Sequence, residues 1–252
     1  MNSKTLKLIL EVAVKITEAG GEISRVEESV ERVCGAYGSL RTDVYATTSN
    51  IIASVEVADG EVITQARNVD RINTNIEKLD RLNAIVRWMT ETSPDELSVR
   101  RRLIEADNVK TPSTPLALLY FGVVACAFCV FFGCREIYAI ISSFVLGMAV
   151  GGINEGLEHI RANKILIKFV CCTFAAFMIR GLVQIGLFPS PDHITIGIIM
   201  TLIPGSGITN ALRDLFSGDI VTGILRTIEA ILTATAMAVG FALPGILLGG
   251  AL

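Results

Sequence analysis

Leu116–Cys134 reads LALLYFGVVACAFCVFFGC, nineteen residues without a formal charge. Bilayer hydrocarbon is about 30 Å thick, so a helix needs about 20 mainly apolar residues to cross it. Further segments of this kind follow. Residues 137–154 carry no charge, and residues 169–190 are broken only by Arg180. Residues 193–212 contain His193 and the helix-interrupting pair Pro204-Gly205. Residues 220–243 hold Arg226 and Glu229, with Pro244-Gly245 placed to end or bend the helix. Five such segments in so short a stretch leave too little polar surface to enclose them in water. The expectation is an α-helical polytopic membrane protein with about five transmembrane helices over residues 116–252.

Upstream, the composition changes. Of the 22 Lys and Arg, 15 lie in residues 1–115, as do 18 of the 25 Asp and Glu. A mean hydropathy of +0.56 therefore averages two regions with different solvents. Residues 1–110 read as a soluble α/β domain, and residues 111–115 as a Pro-containing linker within Lys110-Thr-Pro-Ser-Thr-Pro115. The net charge of −3 is dispersed, and no basic stripe interleaved with aromatics suggests a nucleic-acid partner.

Within the N-terminal region, Leu6, Ile9, Leu10, Ala13 and Ile16 recur at helical steps up to Gly20-Gly21. Regular Lys and Glu residues break this stretch, so it does not read as a signal peptide. A second helix sets Ile23, Val26, Val30 and Val33 inward and ends near Gly35 to Gly38. Its Glu22, Arg25, Glu28 and Arg32 form oppositely charged steps, either a solvated face or a functional one. Strand signals at 42–47 and 51–57 follow. Asp59-Gly60 predicts a hairpin with a type I′ turn, in which both central residues take positive φ. A helix over about 73–90 places Ile76, Leu79, Leu82, Ile85 and Val86 inward. Another opens at Ser93-Pro94-Asp95-Glu96, with Ser93 as cap and Glu96 closing a capping box. No nucleophile elbow, phosphate loop or metal pair stands in this region. The six cysteines form no disulfide framework, and Cys126-x-x-Cys129 is at most half a metal pattern. Neither a metal nor another cofactor is expected.

The charges inside the apolar half carry the chemistry. A charge within a span costs about 2.5–3.5 kcal/mol on insertion scales, so each needs a partner or a purpose. Arg226 pairing with Glu229, or Arg180 with Glu229 across helices, is one reading. The other gives an arginine to an anionic carboxylate and Glu229 to a coupling proton. Around Pro204 and Gly205 the apolar run breaks, and broken helices at membrane depth build solute sites in several transporters. Asn210 and Asp214 then fall four apart on one helix face, and Asp219 follows. The competing reading makes this segment a turn between two spans. His193 reads as an external loop residue or a proton relay. Gly147-x-x-x-Gly151, Gly152-x-x-x-Gly156 and Gly245-x-x-x-Gly249 favour close helix packing. Lys and Arg flank the N-terminal domain, the 155–168 loop and the 205–219 segment, whereas only Arg135 marks the other side. This predicts a cytoplasmic N-terminal domain, five crossings and an external C-terminus.

At these residues the sequence resembles a family, the threonine/serine exporters, in the form whose larger subunit carries a soluble domain and five spans. The resemblance rests on Gly20-Gly21-Glu22-Ile23-Ser24-Arg25-Val26-Glu27, the strand holding Asp43, and Glu77-Lys78-Leu79-x-Arg81-Leu82-Asn83. In the apolar half it rests on Pro204-Gly205-x4-Asn210-Ala211-x2-Asp214-x3-Gly218-Asp219-x3-Gly223-x2-Arg226. Gly21 stands where the family often has Ala. The resemblance implies a multi-pass protein of the plasma (inner) membrane that exports threonine and serine, or a dicarboxylate such as succinate. Transport would be coupled to protons by antiport. It also implies a second, smaller membrane subunit, a homo-oligomer, or both. Arg180, Pro204, Gly205, Asn210, Asp214, Asp219, Arg226 and Glu229 are the candidates for solute binding or coupling. Glu22, Arg25, Glu27 and Asp43 are the motif residues of the soluble domain. Two other classes remain: a membrane-anchored hydrolase using Asp43, Ser49 and Asn50, and an assembly or sensor subunit with no solute path.

Overall fold

The computed structural model describes residues 1–109, 113–188, 190–203 and 205–247. Pro204, Gly249 and part of the 111–115 linker lie outside the described residues. The chain divides into two compact units: Met1–Lys110 with Thr209–Arg226, and Thr111–Ile208 with Thr227–Leu252. Thr209–Arg226, which the apolar pattern assigns to the membrane half, is thus grouped with the N-terminal unit.

That unit is helix-rich, with one small sheet. Helix α1 (Ser3–Glu18) starts where the Asn2 side chain accepts from the Thr5 N–H, 2.9 Å away. It buries Leu6, Ile9, Leu10, Ala13 and Ile16, together with Leu8 and Val12. It stops in a Schellman turn: Gly20 N–H donates to the Thr17 carbonyl (3.0 Å) and Gly21 N–H to that of Ile16 (2.9 Å). Gly20 sits there at φ +91°, which only glycine adopts without strain. Helix α2 (Ile23–Ala36) lays Ile23, Val26, Val30 and Val33 into the same core. Strands β1 (Arg41–Ala46), β2 (Asn50–Glu56) and β3 (Val62–Asn68) form an antiparallel sheet in that order. Asp43 stands opposite Ser54, and Ser54 opposite Thr64.

The second hairpin is where the sequence puts it, but its turn differs from expectation. Val57 N–H bonds the Glu61 carbonyl (3.0 Å) and Gly60 N–H that of Val57 (2.9 Å). Gly60 alone in this loop has positive φ, +81°. A three-residue loop needs one left-handed residue, whereas type I′ needs two, so Asp59 keeps ordinary geometry. Helix α3 (Ile76–Thr92) begins later than expected, because Asn75 caps it by accepting from Lys78 N–H. Ile76, expected inward, is 77% exposed in the first turn. Ser93 does not cap the next helix: it ends α3 in the left-handed region at φ 43°. Asp95 caps α4 (Glu96–Asp107) instead, accepting from Leu97 and Ser98 N–H groups. Asp107 closes the unit by bridging Lys15 of α1 and Lys78 of α3.

The second unit holds helices α5 (Thr114–Phe131), α6 (Ile137–His159), α7 (Lys164–Gln184), α8 (Asp192–Leu202) and the larger part of α10 (Ile220–Leu247). Helix α9 (Gly205–Phe216) follows α8 in sequence. Helices α5, α6, α7 and α10 are long and apolar enough to cross a membrane, and α8 with α9 makes a fifth span if the pair counts as one. Many large apolar side chains on these helices face outward, among them Leu119, Val123, Val145, Ile224 and Ile231. Such surface is suited to hydrocarbon rather than water. The chain is a polytopic membrane protein.

Helices α5 and α6 meet along glycine. A Cβ at Gly147 would lie 2.7 Å from the Ala125 Cβ and 2.8 Å from the Phe121 carbonyl, and one at Gly151 would strike the Phe121 ring. This matches the packing reading of that motif. A Cβ at Gly156 would meet nothing, so the second motif does no such work. Helix α7 begins about five residues before the expected span, since Asn163 caps it by accepting from Ile165 N–H. Helix α10 runs through Pro244 instead of ending there.

Candidate functional site

The elbow between α9 and α10 is built like the one between α1 and α2. Gly218 takes φ +90° after the last turn of α9. Asp219 N–H then donates to the Asp214 carbonyl at 3.0 Å. Asp219 Oδ1 accepts from Thr222 N–H (3.4 Å) at the start of α10. A Cβ on Gly223 would lie 2.6 Å from Leu215 Cγ, so only glycine lets the two helices close this tightly. The elbow thereby brings Asp214 and Arg226, twelve residues apart, onto facing surfaces.

Arg226 Nη1 lies 2.8 Å from Asp214 Oδ2, with the two side chains 9% and 1% exposed. The two atoms are in charge contact without the alignment of a hydrogen bond. Arg226 Nη2 donates to the Gly21 carbonyl at 3.4 Å. Beside it, Arg213 Nη1 sits 3.6 Å from Glu22 Oε2, and Arg25 Nε 3.8 Å from the same oxygen. Glu27 Oε1 accepts from Ala46 N–H (2.8 Å), tying α2 to β1. Burial raises the Glu27 carboxyl above its ordinary range. The Ala46 hydrogen bond opposes this, and the neighbouring Asp219 and Glu31 charges add to it. Asp219 Oδ2 and Thr222 Oγ1 are buried with no hydrogen-bond partner among the described residues.

Two motifs about 190 residues apart in sequence thus form one centre. From the N-terminal motif come Gly21, Glu22, Arg25 and Glu27; from the later one come Arg213, Asp214, Asp219 and Arg226. The carboxylate facing Arg226 is Asp214. Glu229 is exposed one turn further along α10. An arginine already neutralised in this way is poorly placed to receive a solute carboxylate. Asn210 is half-buried on α9, and Gly205 is its first residue. Arg180 is half-buried in α7, within the other unit. Asp43 pairs with Arg41 at 3.1 Å on an exposed strand and takes no part in the Arg226 contacts.

The hydrolase candidates Asp43, Ser49 and Asn50 all lie on or beside the β1–β2 hairpin. Ser49 is bonded into the β1–β2 turn with Thr47. Both histidines, His159 and His193, belong to the second unit. Among the described residues no group of three metal-ligating side chains occurs.

One polar constellation escaped the sequence pattern. Lys168, assigned there to the 155–168 loop, lies inside α7, and its Nζ donates to Asn154 Oδ1 of α6 at 3.0 Å. Asn154 Nδ2 donates in turn to Glu158 Oε1 at 3.0 Å. The signal was present in the asparagine that ends an otherwise uncharged run, fourteen residues before a lysine.

Residues 7–246 match the family model described as "Putative threonine/serine exporter". A protein of Klebsiella aerogenes named "Probable succinate transporter subunit YjjP" is 27% identical over 236 residues, covering 93% of this chain and 90% of the relative. Its namesake in Escherichia coli (strain K12) is 26% identical over 241 residues, covering 93% and 91%. No solved structure matches the chain.

Proposed function

This chain belongs to the threonine/serine exporter family, and we propose that it is the larger subunit of a proton-coupled secondary exporter of small carboxylate-bearing solutes. The solutes are threonine and serine, or a small dicarboxylate such as succinate. A second, smaller membrane subunit completes the pathway, in keeping with the word "subunit" in the names of both relatives. The protein resides in the inner membrane with its N-terminal unit in the cytoplasm. Five crossings then leave the C-terminus outside, as the distribution of Lys and Arg favours.

The observation that carries this reading is the buried Arg226–Asp214 pair at the first turns of a span-length helix, held to the Gly21 carbonyl. A charge pair so enclosed contributes little net stability, because desolvation offsets its attraction. Its use is in fixing one arrangement among alternatives, as a moving transporter requires. Glu27 and Asp219 lie next to it as a crowded carboxylate pair, and they are the groups best placed to exchange the coupling proton. Arg180 remains the candidate for a solute carboxylate deeper in the membrane unit.

Reconstitution of the two subunits in proteoliposomes tests the reading. Efflux of labelled threonine, serine or succinate is expected to accelerate when a pH gradient is imposed. Efflux indifferent to the gradient removes the proton coupling, and lack of flux with every solute removes the exporter.

A further inference from the structure

A lysine near the end of a membrane helix ordinarily extends its stem outward and places its ammonium among headgroups. Lys168 does not. It lies one turn into α7 and turns toward α6, where its Nζ donates to Asn154 Oδ1 at 3.0 Å. Asn154 is 4% exposed, and its own Nδ2 is committed to Glu158 Oε1. Both partners therefore fix the amide so that its oxygen faces the ammonium. An ammonium has three donors, and Asn154 takes one. No carboxylate among the described residues lies within salt-bridge distance of Lys168 Nζ. Cys171, one turn along the same face, spends its thiol on the Val150 carbonyl of α6 (3.8 Å). The α6–α7 seam thus encloses a positioned, half-buried cation with two donor directions left open. Glu158 acts on this ammonium only from beyond salt-bridge distance, and a buried charge with no counter-charge in contact is costly.

We propose that Lys168, oriented by Asn154, is the cytoplasmic-side anchor for the carboxylate of the transported solute. A carboxylate offers two acceptor oxygens to the two open donors. Every solute class named above carries one, so the anchor selects for the shared group while the rest of the pathway discriminates among them. Asn154 is a positioning residue, held in place by Glu158, whose charge also acts on the ammonium. This rests on the exporter reading, but a binding measurement separates the two.

The test uses the full chain in a detergent with uncharged headgroups, titrated with succinate, threonine and inorganic phosphate, together with flux measurements on the reconstituted two-subunit protein. Loss of one charge-assisted contact predicts that Lys168→Gln weakens succinate binding and raises KM at least about ten-fold, with the maximal rate little changed. Lys168→Arg should stay within a few-fold of wild type, and Asn154→Ala should fall between them. Should Lys168→Gln disturb insertion, Asn154→Ala carries the same prediction without touching the charge. Unchanged succinate affinity and KM in these variants overturn the proposal, as does a loss that appears only in vesicles of anionic lipid, which would make a headgroup phosphate the occupant. Wild-type binding without flux would instead count against the exporter reading and leave the anchor standing.

Discussion

Arg226 Nη2 donates to the carbonyl of Gly21, a residue 205 positions away, while its Nη1 meets Asp214 across the α9–α10 elbow. The guanidinium therefore joins the turn that ends the first helix to the turn that starts the last. Two glycine-dependent elbows make this possible, one at Gly20 and one at Gly218, each with a left-handed residue that frees the chain to reverse.

Removing one partner leaves the other charge buried and uncompensated. Arg226→Ala and Asp214→Ala should each cost about 3–5 kcal/mol, read as a lower unfolding midpoint of the purified chain. The apolar pair Arg226→Met with Asp214→Leu should recover most of that loss. A single variant as stable as the wild type would mean that the pair is not buried as described.

Glycines in the apolar half should sort by what faces them. Gly147→Ala drives a methyl against Ala125 and the Phe121 backbone and should cost about 1–3 kcal/mol of stability in detergent. Gly156→Ala meets open space and should be neutral or slightly stabilising, since alanine is the better helix former. Equal effects at both positions would contradict the α5–α6 packing.

Glu27 should give the N-terminal unit a characteristic pH response. Burial, with help from the Asp219 charge, holds its carboxyl above the ordinary glutamate value in the folded chain. The folded state thus binds the proton more tightly than the unfolded one. The stability that Glu27 contributes is complete below its unfolded pKa and is lost as pH rises through the higher folded pKa. Glu27→Gln retains an acceptor for Ala46 N–H and should flatten this part of the curve. Thermal unfolding from about pH 4 to 8 on both forms measures it. A wild-type curve parallel to that of the glutamine variant would rule the linkage out.

The sequence made the membrane half legible because hydropathy over some 20 residues is a long, redundant signal. It misjudged the ends, since single caps such as Asn163 decide them, and charges such as Lys164 and Lys168 look like a loop until that cap is known. In the N-terminal region, the apolar steps of α1 and α2 located the core. Ser93 looks like a cap in the sequence because serine suits two adjacent roles, and only the backbone shows that it ends α3 while Asp95 starts α4. The centre was half visible. Its residues stood out as charges and glycines in two separate runs, but a pairing across 205 positions leaves no local periodicity. Within the later run, Arg226 has a nearer rival in Glu229, three residues away against twelve for Asp214. The Gly218 turn favours Asp214, and turn conformation is not encoded in charge spacing.

The central claim is that the Arg226–Asp214 centre serves transport and not stability alone. The most direct measurement is solute efflux from proteoliposomes holding the second subunit with either the wild-type chain or the Arg226→Met/Asp214→Leu chain, matched for folded protein. The account predicts gradient-driven efflux from the wild type and at least about ten-fold less from the apolar pair. Efflux at the wild-type rate from the folded apolar pair would contradict it.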